Sequence, residues 1–333
     1  MGLSIDTLNK YNVTPLQIAI SEGHVDFAKF LLRQGANIGP IASSDEEDGM
    51  AALHYACIYR RAEIAKILID FGADCNALDA NHWTPLHYAA RADDLSVVSL
   101  LLNKKVSLDV PSVDSKQTAL HLCSKNREIA EKLMNAGSSC NAQDAQGKSF
   151  LHYAVNADEK EIVDLTLSRE NVLIDLKDAD GMTPLMWAVK KNSKDCVFRL
   201  LAKGADVNAR LQDGSYPLMC AQFKESYYEV IEMLLKARSF VNEPKTIDGT
   251  TPIIMVSCKK VAKLLVDNGA DVKAKNNRGE SCLHYKVSSD LTEYLILAGA
   301  DIEAKDSKGQ TPLFNAANLI DSKRASMKQE NYQ

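Results

Sequence analysis

Much of the chemistry that would assign a protein to a class is missing from this chain of 333 residues. No apolar run approaches the roughly 18 residues needed to cross a bilayer, so no membrane span is expected. The first residues, MGLSIDTLNKYN, lack the apolar stretch of a secretory leader. Positive charge is not in excess: the formal net charge is −5, which argues against nucleic acid or an anionic membrane as a partner. Paired cysteines are missing too. The eight cysteines stand at 57, 75, 123, 140, 196, 220, 258 and 282, with no CxxC among them. They fit reduced, buried side chains in a cytoplasmic protein, with a nuclear one as the alternative. No GxSxG, HExxH or Walker loop occurs, and no Gly-rich segment opens a helix after a strand. Neither a catalytic set nor a cofactor site is therefore expected. The length would serve two or three ordinary domains, yet no composition break divides the chain.

What the chain has is repetition. Asp79 to Leu102 reads DANHWTPLHYAARADDLSVVSLLL. Thr84 suits a helix N-cap, because its hydroxyl can accept an N–H of the first turn. Pro85 suits the first helical position, where a missing N–H costs nothing. Leu86, Ala89 and Ala90 form a narrow apolar stripe. Val97, Val98, Leu100, Leu101 and Leu102 form a wider one at helical spacing. Two such short helices cannot bury both stripes in each other. Copies of the unit start at Thr14, Ala51, Thr84, Thr118, Ser149, Thr183, Tyr216, Thr251, Ser281 and Thr311, at intervals of 30 to 37 residues. In phase with them runs a Gly-Ala-Asx turn, seen at Gly35, Gly72, Gly204, Gly269 and Gly299 and as GSSC at Gly137. Gly past a helix end takes the left-handed conformation that a Cβ disfavours. An Asp-x-x-Gly turn follows, at Asp144, Asp178 and Asp306.

With these four phased signals the chain resembles the ankyrin repeat family, from about Asn9 to about Ile320. The resemblance implies an all-α ankyrin-repeat solenoid of stacked antiparallel helix pairs, with β-hairpin loops projecting from it. It is read as a single array over 1–333, with repeats at 9–42, 47–79, 80–113, 114–144, 145–178, 179–211, 212–246, 247–276, 277–306 and 307–333. Some units depart from the pattern. GPIASSDEEDG lengthens one turn, and the repeats at Thr118, Thr251 and Ser281 are about three residues short between their helices. Lys105 and Arg238 replace the turn Gly, while His82 and Lys116 replace the hairpin Gly.

Five histidines recur in the TPLH slot: His54, His87, His121, His152 and His284. A metal row is excluded by spacing, since stacked helices stand about 10 Å apart and metal–nitrogen bonds are about 2 Å. A local hydrogen-bonding role is expected instead.

The resemblance also implies that hairpin tips and late first-helix positions line a concave binding groove. Carried over, these positions gather Met50, Ile58, Tyr59, Trp83 and Arg91 in adjacent repeats, residue types enriched at binding hot spots. Further along they gather Met182, Lys190, Lys191, Phe223 and Lys224, a basic and aromatic patch suited to an acidic segment. Ser43 and Ser44 precede acids and resemble sites of acid-directed kinases; a solvated loop is the plainer reading. Asn76, Asn141, Asn208 and Asn242 each follow a Leu by eight residues, as in ankyrin repeats hydroxylated on the turn Asn. Turn chemistry alone also favours that Asn. The function expected is a non-catalytic scaffold or adaptor: a monomer that binds a protein or peptide segment and takes no cofactor. The alternatives are a regulatory or substrate-recognition module of a larger enzyme, such as a kinase, transferase or ubiquitin ligase, and a receptor for a small anionic ligand. In the last case Lys190, Lys191 and Lys224 would be the contacts.

Overall fold

The computed structural model describes residues 4–40, 49–285 and 288–315. Ser43 and Ser44 lie outside the described residues. Two compact units divide the chain, Met1–Ala179 and Asp180–Gln333. The described residues form helices and turns, with no strand among them.

In the first unit each repeat is a pair of short helices. The first helices are Pro15–Glu22, Ala52–Ile58, Pro85–Arg91, Ala119–Leu122 and Phe150–Ala157. The second helices are Val25–Arg33, Ala62–Asp70, Leu95–Leu102, Arg127–Ala136 and Lys160–Leu167. First helices pack on first helices and second on second, so neighbours bury the stripes that one pair could not. Leu53, Leu86, Leu120 and Leu151 are wholly or almost wholly buried in this stack, as are Leu68, Leu101 and Leu133.

The second unit keeps the second helices at Lys194–Ala202, Tyr228–Lys236, Lys259–Asp267 and Ser289–Leu297. Its first helices degrade. Pro184–Lys191 is a full α-helix, but Pro217–Cys220, Pro252–Met255 and Cys282–His284 are single 3₁₀ turns. The shortening expected at Thr118, Thr251 and Ser281 is present, and the repeat at Tyr216 joins them. After Cys220 the backbone becomes extended at Ala221, with φ −72° and ψ 148°.

The hairpins are made of turns. Their tips are tied repeat to repeat by backbone bonds. In the first unit these are Val113 N to Asn81 O at 3.0 Å, Ala145 N to Ser115 O at 2.8 Å and Ala179 N to Gln146 O at 2.8 Å. In the second they are Thr246 N to Asp213 O at 2.9 Å, Asn277 N to Asp248 O at 2.8 Å and Ser307 N to Arg278 O at 2.7 Å. His82, Lys116 and Arg238 keep the left-handed conformation of the Gly they replace, with φ of 57°, 50° and 64°. That costs on the order of 1 kcal/mol at each. Lys105 does not adopt it, and its turn closes through Val106 N to Lys104 O at 2.8 Å.

Candidate functional site

The TPLH histidines are hydrogen-bonded as the repeat pattern implies. At Ala51 the backbone N–H donates to His54 Nδ1 at 3.0 Å. Thr84, Thr118, Ser149 and Ser281 donate in the same way to His87, His121, His152 and His284, at 3.0 to 3.1 Å. A backbone N–H can only donate, so each Nδ1 is the acceptor and the ring proton sits on Nε2. That proton reaches the next hairpin: His54 Nε2 meets the carbonyls of Ala77 and Trp83, both at 3.1 Å. His87 meets Gln117 O at 3.2 Å and His284 meets Gln310 O at 3.2 Å. The first repeat does the capping half with Gln17, whose Oε1 accepts from Thr14 N at 2.8 Å while Thr14 Oγ1 accepts from Gln17 N at 3.2 Å. At Thr84, by contrast, the hydroxyl lies 2.8 Å from His87 Nδ1. Burial holds His54, His87 and His121 below the usual imidazole value, against the raising effect of their backbone bonds and nearby aspartates.

A second device ties the hairpin to the first helix. Asp79 Oδ1 accepts from Asn81 N and Trp83 N at 2.9 and 2.7 Å, and its Oδ2 accepts from the Tyr88 hydroxyl at 2.6 Å. Asp144 does the same with Gln146 N, Lys148 N and Tyr153. Asn276 varies it: its Oδ1 accepts from Arg278 N and Glu280 N, while its Nδ2 donates to the Tyr285 hydroxyl at 3.1 Å. Sequence reading passed over this clamp. Its signal is the tyrosine that recurs nine residues after the turn Asp or Asn.

Around this clamp in the third repeat lies the most distinctive surface of the first unit. The Trp83 ring stands 5.0 Å from Tyr88 and 5.7 Å from His87. The Arg91 guanidinium lies over Trp83, 5.3 Å from its centroid. Trp83, Tyr88 and Arg91 line a recess of about 260 Å³ with Asn81, Ser112, Asp114 and Ser115. The arrangement offers a flat aromatic wall, one cation and several hydrogen-bonding groups. Of the residues the sequence placed beside Trp83, Tyr59 is exposed at 45% and caps the helix Ala52–Ile58. Met50 and Ile58 are half-buried. None of these three lines the recess.

The patch expected in the second unit is corrected in two places. Met182 is only 7% exposed and packs with Met186 and Ala209. Phe223 is only 3% exposed. Its helix stops at Cys220, and the extended backbone that follows carries Phe223 back inside, where its carbonyl accepts from Ser257 N at 2.9 Å. Neither belongs to an exposed face. Lys190, Lys191 and Lys224 are exposed. Tyr227 gathers two of them, donating its hydroxyl to Lys190 O at 2.9 Å while Lys224 Nζ lies 5.8 Å from its ring centroid.

The four turn asparagines are staples between repeats. Asn76 accepts from Ser107 N at 2.7 Å and donates to Lys105 O at 3.3 Å. Asn141 pairs with Leu173 N and Asn171 O at 2.8 and 2.6 Å. Asn208 pairs with Phe240 N and Arg238 O at 2.9 and 3.2 Å, and Asn242 with Asp271 N and Gly269 O, both at 2.8 Å. Leu68, Leu133, Leu200 and Leu234, eight residues before them, are fully buried.

The cysteines are free thiols. Burial pushes Cys57, Cys75, Cys123, Cys140, Cys220 and Cys282 upward, Cys220 and Cys282 to about 11. Such thiols stay protonated and poorly nucleophilic near neutral pH. Among the described residues no group of His, Cys, Asp and Glu could hold a metal ion, and no helix is long and apolar enough to cross a membrane.

Paired helices, hairpin tips tied in series and a TPLH histidine bridging to the next hairpin define a repeat protein of one class. The family model for ankyrin repeats matches in overlapping stretches from residue 2 to residue 306, and the chain belongs to the ankyrin repeat family. Rabankyrin-5 of Mus musculus is 33% identical over 208 residues, covering 59% of this chain and 18% of that protein. The transient receptor potential cation channel subfamily A member 1 of Homo sapiens is 26% identical over 338 residues, covering 87% of this chain and 27% of that protein. The chain thus spans less than a third of either relative. The crystal structure of the human ASB11 ankyrin repeat domain aligns with a TM-score of 0.57 at 23% identity, over 68% of this chain and 98% of that one, and it shows the fold alone.

Proposed function

We propose that this chain is a non-catalytic scaffold that binds a segment of another protein, and that the Trp83–Arg91 recess is the centre of that surface. The observation that carries the reading is the recess itself. An indole, a phenol and a guanidinium meet on one half-buried wall, and these are the side chains that dominate binding energy at interfaces. The wall is held by the Asp79 clamp and the His54 bridge to Trp83 O, so little ordering is left to oppose binding. Tyr59, exposed on the preceding repeat, extends the surface. Its partner is a protein segment with an acidic or aromatic anchor for Arg91 and Trp83. The free, protonated thiols agree with a reducing compartment, cytoplasm or nucleus, and the chain acts as a monomer.

Affinity capture from the native cell tests the reading. Wild type is compared with Tyr59→Ala, Arg91→Ala and the outer-helix control Lys132→Ala. A specific partner should be retained by the control and depleted at least tenfold by Arg91→Ala. Equal recovery with all three variants would move the binding surface elsewhere.

A further inference from the structure

A recess of about 540 Å³ in the first unit shares no residue with the Trp83 site. Its walls are Met134 and 137–141 of one turn and 168–172 of the next. A local lengthening creates it. In the other staples described above, the carbonyl that accepts from the turn Asn belongs to Lys105, Arg238 or Gly269, two or three residues past the helices ending at Leu102, Lys236 and Asp267. For Asn141 it belongs to Asn171, four residues past the helix end at Leu167. The longer turn and its neighbour line the space between them.

Two buried polar atoms on these walls, Ser138 Oγ and Arg169 Nε, have no hydrogen-bond partner among the described residues. Ser138 as a whole is only 6% exposed. Arg169 is anchored at its other end, where Nη1 donates to Asn135 Oδ1 at 2.9 Å. A buried donor without a partner costs about 1–3 kcal/mol, and more when it is charged. Native structures therefore leave few of them without a reason. Arg Nε–H can only donate, so its partner must bring an acceptor oxygen. The Ser138 hydroxyl can donate to the same group. The cationic charge is felt at the wall: burial raises the Cys140 thiol, and Arg169 pulls it the other way. Opposing charges are also present. Asp109 accepts from Ser139 N with both carboxylate oxygens, at 3.0 and 3.1 Å, and exposed Glu170 stands on the rim. Those two carboxylates select against an extended polyanion and leave room for one compact group.

We propose that this recess binds a single anionic, oxygen-bearing group, a carboxylate or a phosphoryl group, through Arg169 Nε–H and the Ser138 hydroxyl. The site is independent of the Trp83 surface.

The test is NMR of the full chain, titrated at constant ionic strength with inorganic phosphate and, separately, with N-acetyl-aspartate. At least one probe should saturably shift the Arg169 Nε–H signal and the amides of 138–141. Saturation by phosphate identifies a phosphoryl site, and saturation by N-acetyl-aspartate a carboxylate site. Arg169→Lys keeps the charge but loses the Nε–H donor, and should weaken binding at least tenfold. Ser138→Ala should weaken it several-fold with the melting temperature kept, and Arg127→Lys should leave it unchanged. Shifts that stay linear with both probes would overturn the proposal. So would wild-type affinity in Arg169→Lys or, should that variant not fold, in Ser138→Ala.

Discussion

A buried imidazole that accepts at Nδ1 and donates at Nε2 has no place for a second proton. If Nδ1 of His54 were protonated, it would point N–H against the N–H of Ala51. The folded values of His54, His87 and His121 lie below the ordinary one because burial disfavours the charged ring. Between those values and the unfolded value of about 6.5 the unfolded chain binds more protons. The contribution of these rings is thus complete above pH 6.5 and is lost as pH falls to the folded values. Each ring adds up to about 1.4 kcal/mol per pH unit within that window. Thermal melts at pH 7.5, 6.5 and 5.5 should show little change over the first interval and a steep fall over the second. His87→Gln, which copies the Gln17 cap of the first repeat, should flatten that fall while melting above His87→Ala. The turn asparagines make a prediction at the same scale. Asn141 spends both ends of its amide on the next repeat, and Asn141→Ala hands exposed Leu173 N–H and Asn171 O to water. Urea unfolding should show a loss of about 0.5–1.5 kcal/mol for each bond.

At the scale of the element, the repeats differ in how much helix they contain. Pro85–Arg91 is two turns of α-helix under one cap, whereas Pro217–Cys220, Pro252–Met255 and Cys282–His284 are single 3₁₀ turns with few internal hydrogen bonds. Local opening is cheapest where backbone bonds are fewest. In hydrogen–deuterium exchange, amides 218–224 and 253–258 should exchange at least tenfold faster than 86–91, while the second helices of the same repeats stay protected. The second helices and the TPLH starts were legible from the chain because their signals are local: an apolar period, a Pro at the first position, a Gly at the last. The clipping at Thr118, Thr251 and Ser281 showed as missing residues. The break after Cys220 did not, because that repeat has full length and its departure lies in packing. Phe223 is apolar and its repeat offers a buried position once the helix stops, so the core takes it. Met182 was misplaced for a related reason: the slot before the cap is half-buried at Gln117, Lys148, Glu280 and Gln310, and it closes fully over Met182 beside Met186 and Ala209. The candidate site was half legible. Trp83 and Arg91 stood out as departures from their siblings, but the clamp of Asp79 on Tyr88 joins residues nine apart through a turn, and the Arg169 recess arises from turn length.

On the scale of the whole molecule, both units are held repeat to repeat by hairpin-tip bonds and asparagine staples, with histidine bridges from His54, His87 and His121 in the first and from His284 in the second. Among the described residues the main packing contacts run between adjacent elements and adjacent repeats, so stability is close to a sum of repeats and their interfaces. Removing 114–144 from the middle of the first unit deletes one repeat and mismatches two interfaces, and should lower the melting temperature more than removing 1–40 from its end. Such an array presents its departures on a fixed frame, and in the first unit the departure that offers aromatic, cationic and hydrogen-bonding groups together is the Trp83 recess. The central claim is that a partner protein seats there. A photo-crosslinking residue placed at Asn81 on the recess wall, and in a second protein at Lys132 on an outer helix, tests it in the native cell. The expected result is a discrete crosslinked partner from position 81, lost when Arg91→Ala is added, and none from position 132. The same partner crosslinked from 132 with nothing from 81 would contradict it.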